Sequence, residues 1–265
     1  MTRTISRSLS GVLEELELAQ PTLVTSEDLG VLIAQQGIKS PVNVVASRLR
    51  ERGWLLATPQ RGVWEFAPAA LAGPYSLNEP VTPLKAFLAK HPLARCGLTF
   101  QAAAWAHGIA DRVPNRLEVA AVNHSAARQL PDALAGTVFT PKLSYLTLRG
   151  VPVLALESVL VHMAARPTAV RSWASALEWL PELSNELQIG PLLSEISGRS
   201  TTVQARVGYL LQSLRPDLAT TIYERASVTT KTWFGPRGKL RRHDSKWLIA
   251  DTLLPFDPRE LGSIA

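Results

Sequence analysis

Between Thr25 and Phe66 the chain starts and stops several times within about forty residues, and this punctuation leaves few folds open. Thr25-Ser26-Glu27-Asp28 offers an N-cap hydroxyl followed by early acids, the start of a helix that runs to about Gln36 and is closed by Gly37. After a short turn, Ser40 is expected to cap a further helix with Pro41 in its first position, where a missing amide donor costs nothing, and Gly53 ends it after Arg52. Two short runs of strand character, Trp54 to Ala57 and Val63 to Phe66, follow across the turn-forming Thr58-Pro59-Gln60-Arg61-Gly62. Upstream, residues 5 to 19 carry Leu9, Val12, Leu13, Leu16 and Leu18 at helical spacing with Glu14, Glu15 and Glu17 between them, and Pro21 stops that helix. Helix, helix, helix, hairpin is the order of a winged helix-turn-helix.

Pro68 to Pro83, with Gly73, Pro74 and Pro80 inside it, lacks periodicity and reads as a connection. The expected division is therefore residues 1–74, a winged helix-turn-helix with its linker, and residues 75–265, a larger mixed α/β domain; the fold class is α+β. In that second part helices are expected over 83–90 and 99–110, a strand over Leu117 to Val122, strand-like runs over 137–148, and Val151 to Leu156 leading into a helix that ends near Arg166. The pattern is then mostly helical to Ala226 with breaks at Pro181, Gly190, Gly198 and Pro216, and two late strand candidates, Val228 to Phe234 and Lys246 to Leu254, flank a basic loop. A chain of 265 residues with 46% apolar and 19% charged residues can bury a core in each part. One cysteine, Cys96, excludes a disulfide framework and a thiolate zinc site. No run approaches the ~20 apolar residues a bilayer crossing requires, so no membrane association is expected and the cytoplasm is the expected location.

The net charge of +6 suits an acidic partner, and its distribution says more than its size. Residues 1 to 70 hold seven cations and seven acids, whereas residues 39 to 61 hold Lys39, Arg48, Arg50, Arg52 and Arg61 against Glu51 alone. On the third helix Val42, Val45 and Leu49 gather on one side and Asn43, Ser47 and Arg50 on the other. Asn and Arg side chains on such a face can make paired hydrogen bonds to base edges in the major groove of double-stranded DNA. Arg48 and Arg52 lie nearer the flanks, where phosphates would be, and Gln60 and Arg61 sit at the wing tip, within reach of the minor groove or the backbone. Ser26, at a helix start, offers a phosphate contact through its amide and hydroxyl. Trp54 and Trp64 sit in alternating strand patterns and are expected in the core rather than as a stacking platform.

In the second part, residues 231 to 246 carry Lys231, Arg237, Lys239, Arg241, Arg242 and Lys246 against Asp244, and Gly235, Pro236 and Gly238 make this a mobile loop suited to a nucleic acid backbone or an acidic protein surface. Arg199 and Arg206, seven apart, would share a helix face and are further candidates for partner contact, with salt-bridging as the competing role. Catalysis finds little support. No Gly-Ser is followed by a spaced pair of acids, the metal-holding pattern of nucleotidyltransferases, and Leu117-Glu118-Val119-Ala120 lacks the lysine of a nuclease Glu-x-Lys. His107 and Asp111, four apart, read as a capping or salt-linked pair. The histidines at 91, 107, 124, 162 and 243 have no metal-ligand spacing, and neither a metal nor a cofactor is expected.

Val24 to Leu29, Arg48 to Leu55 and Arg61 to Pro68 resemble the winged helix of AbiEi-type antitoxins. Ala102-Ala103-Ala104-Trp105-Ala106-His107-Gly108, then Ala164-Ala165-Arg166-Pro167 leading to Trp173, then Ser197-Gly198-Arg199-Ser200 leading to Arg206 and Tyr209-Leu210-Leu211, continue that likeness in the actinobacterial, two-domain form. The resemblance implies a transcriptional autorepressor whose winged helix binds operator inverted repeats upstream of its own operon. It also implies a C-terminal domain that counters a nucleotidyltransferase-type toxin encoded beside it, as in type IV toxin-antitoxin systems, without need of a stable complex. A monomer or weak homodimer is expected. The alternative reading is a winged-helix repressor whose C-terminal domain binds a small-molecule effector and releases the operator.

Overall fold

The computed structural model describes residues 9–71 and 79–263. The chain divides into two units: one runs to Ala94 and takes in residues 130–134, and the other holds Arg95–Gln129 and the chain from Ala135 onward. The boundary expected near residue 75 lies outside the described residues. The helix expected beyond it, Thr82–Lys90, groups with the first unit.

In the first unit, α1 (Ser10–Ala19) buries Val12, Leu13 and Leu16. Leu18 was expected on the same stripe and is instead 83% exposed, because a residue two places on from Leu16 points to the far side of a helix. A three-residue strand that the sequence reading lacks, β1 (Leu23–Thr25), precedes α2 (Ser26–Gln35). Thr25 and Asp28 form a reciprocal capping box at the α2 start, as the hydroxyl and early acids predict. Gly37, at φ +63, turns the chain out of α2.

The next helix, α3 (Val42–Glu51), begins one residue later than expected. Ser40 does not cap it. Pro41 occupies the cap position in extended geometry with its carbonyl accepting from Val44 and Val45, so the serine before it lies outside the helix. Val45, Ala46 and Leu49 are buried against Leu13, Leu29, Ile33, Trp54, Leu55 and Phe66, and Trp64 packs on the edge of that cluster. β2 (Leu55–Ala57) and β3 (Val63–Phe66) form the expected hairpin, and β1 adds antiparallel to β3, giving the sheet order β1-β3-β2. α4 (Thr82–Lys90) then packs on β3 and β1.

In the second unit a five-stranded sheet has the order β6-β5-β4-β8-β7, built from β4 (Cys96–Leu98), β5 (Leu117–Ala121), β6 (Leu134–Val138), β7 (Leu146–Leu148) and β8 (Val151–Val153). β4 runs antiparallel to β5 and parallel to β8. Between strands lie α5 (Phe100–Ala106), which stops short of residue 110 because Gly108 turns at φ +82, and α6 (His124–Gln129). Then come α7 (Leu156–Ala165), α8 (Trp173–Glu186), α9 (Ile189–Ile196), α10 (Thr201–Leu211) and α11 (Pro216–Arg225). Pro181, expected as a break, lies inside α8: Trp173, Ala176, Trp179, Leu180 and Leu183 bury one continuous face, and that burial outweighs the amide bond a proline removes. Gly190, a second expected break, sits in the first turn of α9.

Three last strands, β9 (Thr232–Phe234), β10 (Arg242–Asp244) and β11 (Ile249–Asp251), form a separate sheet of order β10-β11-β9. The basic segment expected as a mobile loop therefore ends in a strand, because Arg242 to Asp244 pair antiparallel with Ile249 to Asp251. The class read from the sequence, α+β with a helical N-terminal part and a larger mixed domain after it, is the class of the structure.

Candidate nucleic-acid interface

The buried and exposed sides of α3 separate as its spacing dictates. Asn43, Ser47, Arg48 and Arg50 are exposed, and Val45 and Leu49 are buried. Facing the exposed side, the β2–β3 hairpin closes a groove of about 630 Å³ lined by Asn43, Ser47, Arg50, Gln60, Arg61 and Ser26, among others. Thr58, Ala57, Val63 and Trp64 also line it. Ala57 and Val63 were not singled out in the sequence, where a strand residue facing a groove looks the same as one facing the core, and Trp64, expected in the core, packs on the core's edge and also faces the groove.

The hairpin turn is fixed from several sides. Thr58 Oγ1 donates to the Val63 carbonyl at 2.8 Å and to that of Gln60 at 3.1 Å, while Gly62 adopts φ +81, open to glycine at no steric penalty. Lys90 Nζ at the end of α4 donates to the Arg61 carbonyl at 3.0 Å. Ser26 donates to the Gly62 carbonyl twice, from its hydroxyl at 3.0 Å and its amide at 2.8 Å. This corrects the phosphate contact expected of Ser26: both of its donors are committed to the turn, so it sets the groove's width.

Other expected contacts are redistributed. Ser47 Oγ donates to Glu51 at 3.1 Å, which turns it along the helix. Arg48 is exposed and lies outside the groove lining. Arg52 is the C-cap residue of α3 and is half-buried, withdrawn from the flank where it was expected. Ser40 is half-buried and outside the groove lining. Lys39 and Arg61 are exposed.

The cations singled out in the second unit mostly have internal partners. Arg199 precedes α10 rather than sharing its face with Arg206, since Ser200 is the cap residue. Its guanidinium pairs with Glu195, donates to the Thr140 carbonyl at 2.9 Å and lies 4.5 Å from the Phe139 ring. Glu195 is fully buried and also accepts from the amides of Lys142 and Leu143 and from Ser158 Oγ at 2.7 Å. Arg206 donates to the carbonyls of Trp233 and Ala164. Arg242 pairs with the buried Asp251 at 2.9 Å, and Arg241 donates to the Leu254 carbonyl at 3.1 Å. Lys239 is exposed on the turn between β9 and β10.

Two buried titratable groups flank α5. Glu118 on β5 accepts from the Ala102 amide at 2.9 Å, and burial pushes its carboxyl up to about 7 against the pull of that bond. Position 120 beside it is a fully buried alanine, so no lysine stands where a nuclease would need one. His162 on α7 is sandwiched between the Phe100 and Phe139 rings, each 4.3 Å away, with Nδ1 2.8 Å from Thr99 Oγ1. Burial, helped by Arg166 and Arg199, holds His162 well below the usual imidazole range, so it is neutral. His107 and Asp111 do not make the expected pair: His107 Nε2 lies 2.9 Å from the Leu154 carbonyl, and Asp111 is exposed beyond the end of α5. Among the described residues no three His, Cys, Asp or Glu side chains are placed to hold a metal ion, and no helix is long and apolar enough to cross a membrane.

Residues 94–213, from β4 to α10 and just beyond, match the family model of the AbiEi antitoxin C-terminal domain. The C-terminal unit carries an AbiEi antitoxin domain. This match supports an antitoxin role within a toxin-antitoxin system. The AbiEi domain here contains both buried groups just described and the Glu195–Arg199 pair. Beyond it, the whole chain is similar to the crystal structure of the RV2827C protein from Mycobacterium tuberculosis, at 25% identity and a TM-score of 0.81, covering 96% of this chain and 94% of that one. No curated protein matches the chain.

Proposed function

We propose that this antitoxin is also a DNA-binding autorepressor, its N-terminal unit acting as a winged helix-turn-helix that reads operator inverted repeats. The toxin it counters is of the nucleotidyltransferase type, and the AbiEi domain carries that neutralisation. The observation behind the DNA-reading part is the groove that gathers Asn43, Arg50, Gln60 and Arg61 on one face of the N-terminal unit. In this reading α3 enters the major groove with Asn43 and Arg50 on base edges. Arg48 and Arg61 meet phosphates, which fix register and carry no sequence information.

The test is a gel-shift series over salt on the operator and on a scrambled duplex. Arg50→Ala lowers operator affinity by about 1–3 kcal/mol and narrows the gap between the two duplexes. Arg61→Ala weakens both alike and reduces the salt slope by about one. Wild-type behaviour from both variants would refute the assignment. For the antitoxin half, co-expression of the neighbouring nucleotidyltransferase gene with the chain restores growth, and it does so with Arg50→Ala as well, because neutralisation resides in the other unit.

A further inference from the structure

The AbiEi domain contains a second polar cleft, of about 400 Å³, lined by none of the α3 and hairpin residues. His124 and Arg128 of α6, Gly136 and Thr137 of β6, and Arg166 and Thr168 of the turn after α7 line it. No carboxylate is among the lining residues. Arg128 and Arg166 are exposed, and among the described residues neither is in an ion pair, in contrast to Arg199 and Arg242. The frame is rigid. The Ala169 amide donates to the Arg166 carbonyl at 2.9 Å, Trp173 Nε1 donates to the carbonyl of the buried Pro167 at 2.9 Å, and Asn123 Oδ1 accepts the Ala126 amide at 2.8 Å.

Guanidinium groups held around one small space repel each other unless an anion sits between them, and more than one negative charge suits them better than one. Threonine hydroxyls at the same wall supply neutral donors. The one ring lining the cleft is the exposed His124, and no Phe, Tyr or Trp offers a broad face on which to stack a base. The chemistry selects a phosphate group rather than the base attached to it. The volume falls in the range of small-molecule sites, about 300–1,000 Å³. We propose that this cleft binds a phosphate monoester, the terminal group of a mononucleotide or of a 5′-phosphorylated strand. A monoester carries close to two negative charges at neutral pH and three free oxygens. A phosphodiester inside a strand carries one charge and two free oxygens, and so fits less well.

The experiment uses the full chain and two single strands of identical sequence with a 3′ fluorophore, one with a 5′-phosphate and one with a 5′-hydroxyl, followed by fluorescence anisotropy. The α3 groove meets both strands alike and drops out of the difference, so the result is independent of the operator-reading proposal. The phosphorylated strand is expected to bind about tenfold tighter or more, the worth of one or two charge-assisted hydrogen bonds. If adenosine monophosphate displaces it at similar concentration, the ligand is a mononucleotide; if only the phosphorylated strand competes, it is a strand end. The R128A/R166A double variant, checked by thermal melting, removes the preference, and K231A/K239A, with the same loss of charge elsewhere, keeps it. Equal binding of the two strands with no binding of adenosine monophosphate or inorganic phosphate overturns the proposal, as does a preference that survives R128A/R166A.

Discussion

Two buried carboxylates with opposite fates set what single residues do in the AbiEi domain. Glu195 is fully satisfied: two amides, a hydroxyl and the Arg199 guanidinium surround it. Arg199→Ala leaves the buried Glu195 without its ion-pair partner, and a loss of about 3 kcal/mol in urea unfolding is expected. Glu118 accepts from backbone amides of α5, makes no ion pair among the described residues, and has its carboxyl raised to about 7 by burial. A raised carboxylate favours folding below its unfolded value, and that contribution fades as pH climbs through the folded one. Thermal melts should therefore show the wild type losing stability between about pH 4.5 and 7. Glu118→Gln should match it at the acid end and exceed it near pH 8, by up to roughly 3 kcal/mol. Neither acid could be recognised as buried from the sequence, where charged residues default to the surface. Glu195 meets residues 53 and 37 positions away, a juxtaposition only the fold creates.

At the level of helices and strands, local chemistry was the readable part. The Thr25–Asp28 capping box, the glycines at 37 and 53 and the turn at 58–62 mark α2, α3 and the hairpin within a residue or two of where they lie. The exposed face of α3 followed from helical period alone. What escaped was whatever depends on partners distant in sequence. β1 is a strand only because β3 lies beside it, and β10 only because of β11. Pro181 is tolerated only because α8 is buried along its length. Two consequences can be measured. Thr25→Ala removes the capping hydroxyl and should cost about 1 kcal/mol. Gly208→Ala on α10 would place a methyl about 2.0 Å from the ring of the fully buried Trp247, too close for the helix to remain seated, and a loss of about 1–3 kcal/mol is expected.

For the molecule as a whole, the net charge of +6 was a poor guide to where a partner binds. Several C-terminal cations neutralise buried acids or hold backbone carbonyls, as Arg199, Arg206 and Arg242 do. The cations open to solvent are spread over both units: Lys39, Arg48, Arg50 and Arg61 on and around α3 and the hairpin, Arg128 and Arg166 at the second cleft, and Lys231, Arg237 and Lys239 among others along the β9–β10 segment. If Lys39, Arg48 and Arg61 each displace a counterion, the logarithm of operator affinity should fall with the logarithm of salt at a slope of roughly −2.7. A titration with a slope near zero would mean that these side chains do not meet phosphate. The fold class was legible because both halves announce their period, whereas the assignment of α4 to the first unit was not, since nothing in its sequence names the surface it covers.

Ser26 grips the hairpin turn from one side and Lys90 from the other, so the mouth between α3 and the wing has its shape before any duplex arrives. An operator would then meet a surface already set. Calorimetry of that encounter should register the heat-capacity change of drying two matched faces, without the larger decrement that accompanies a segment folding onto its target.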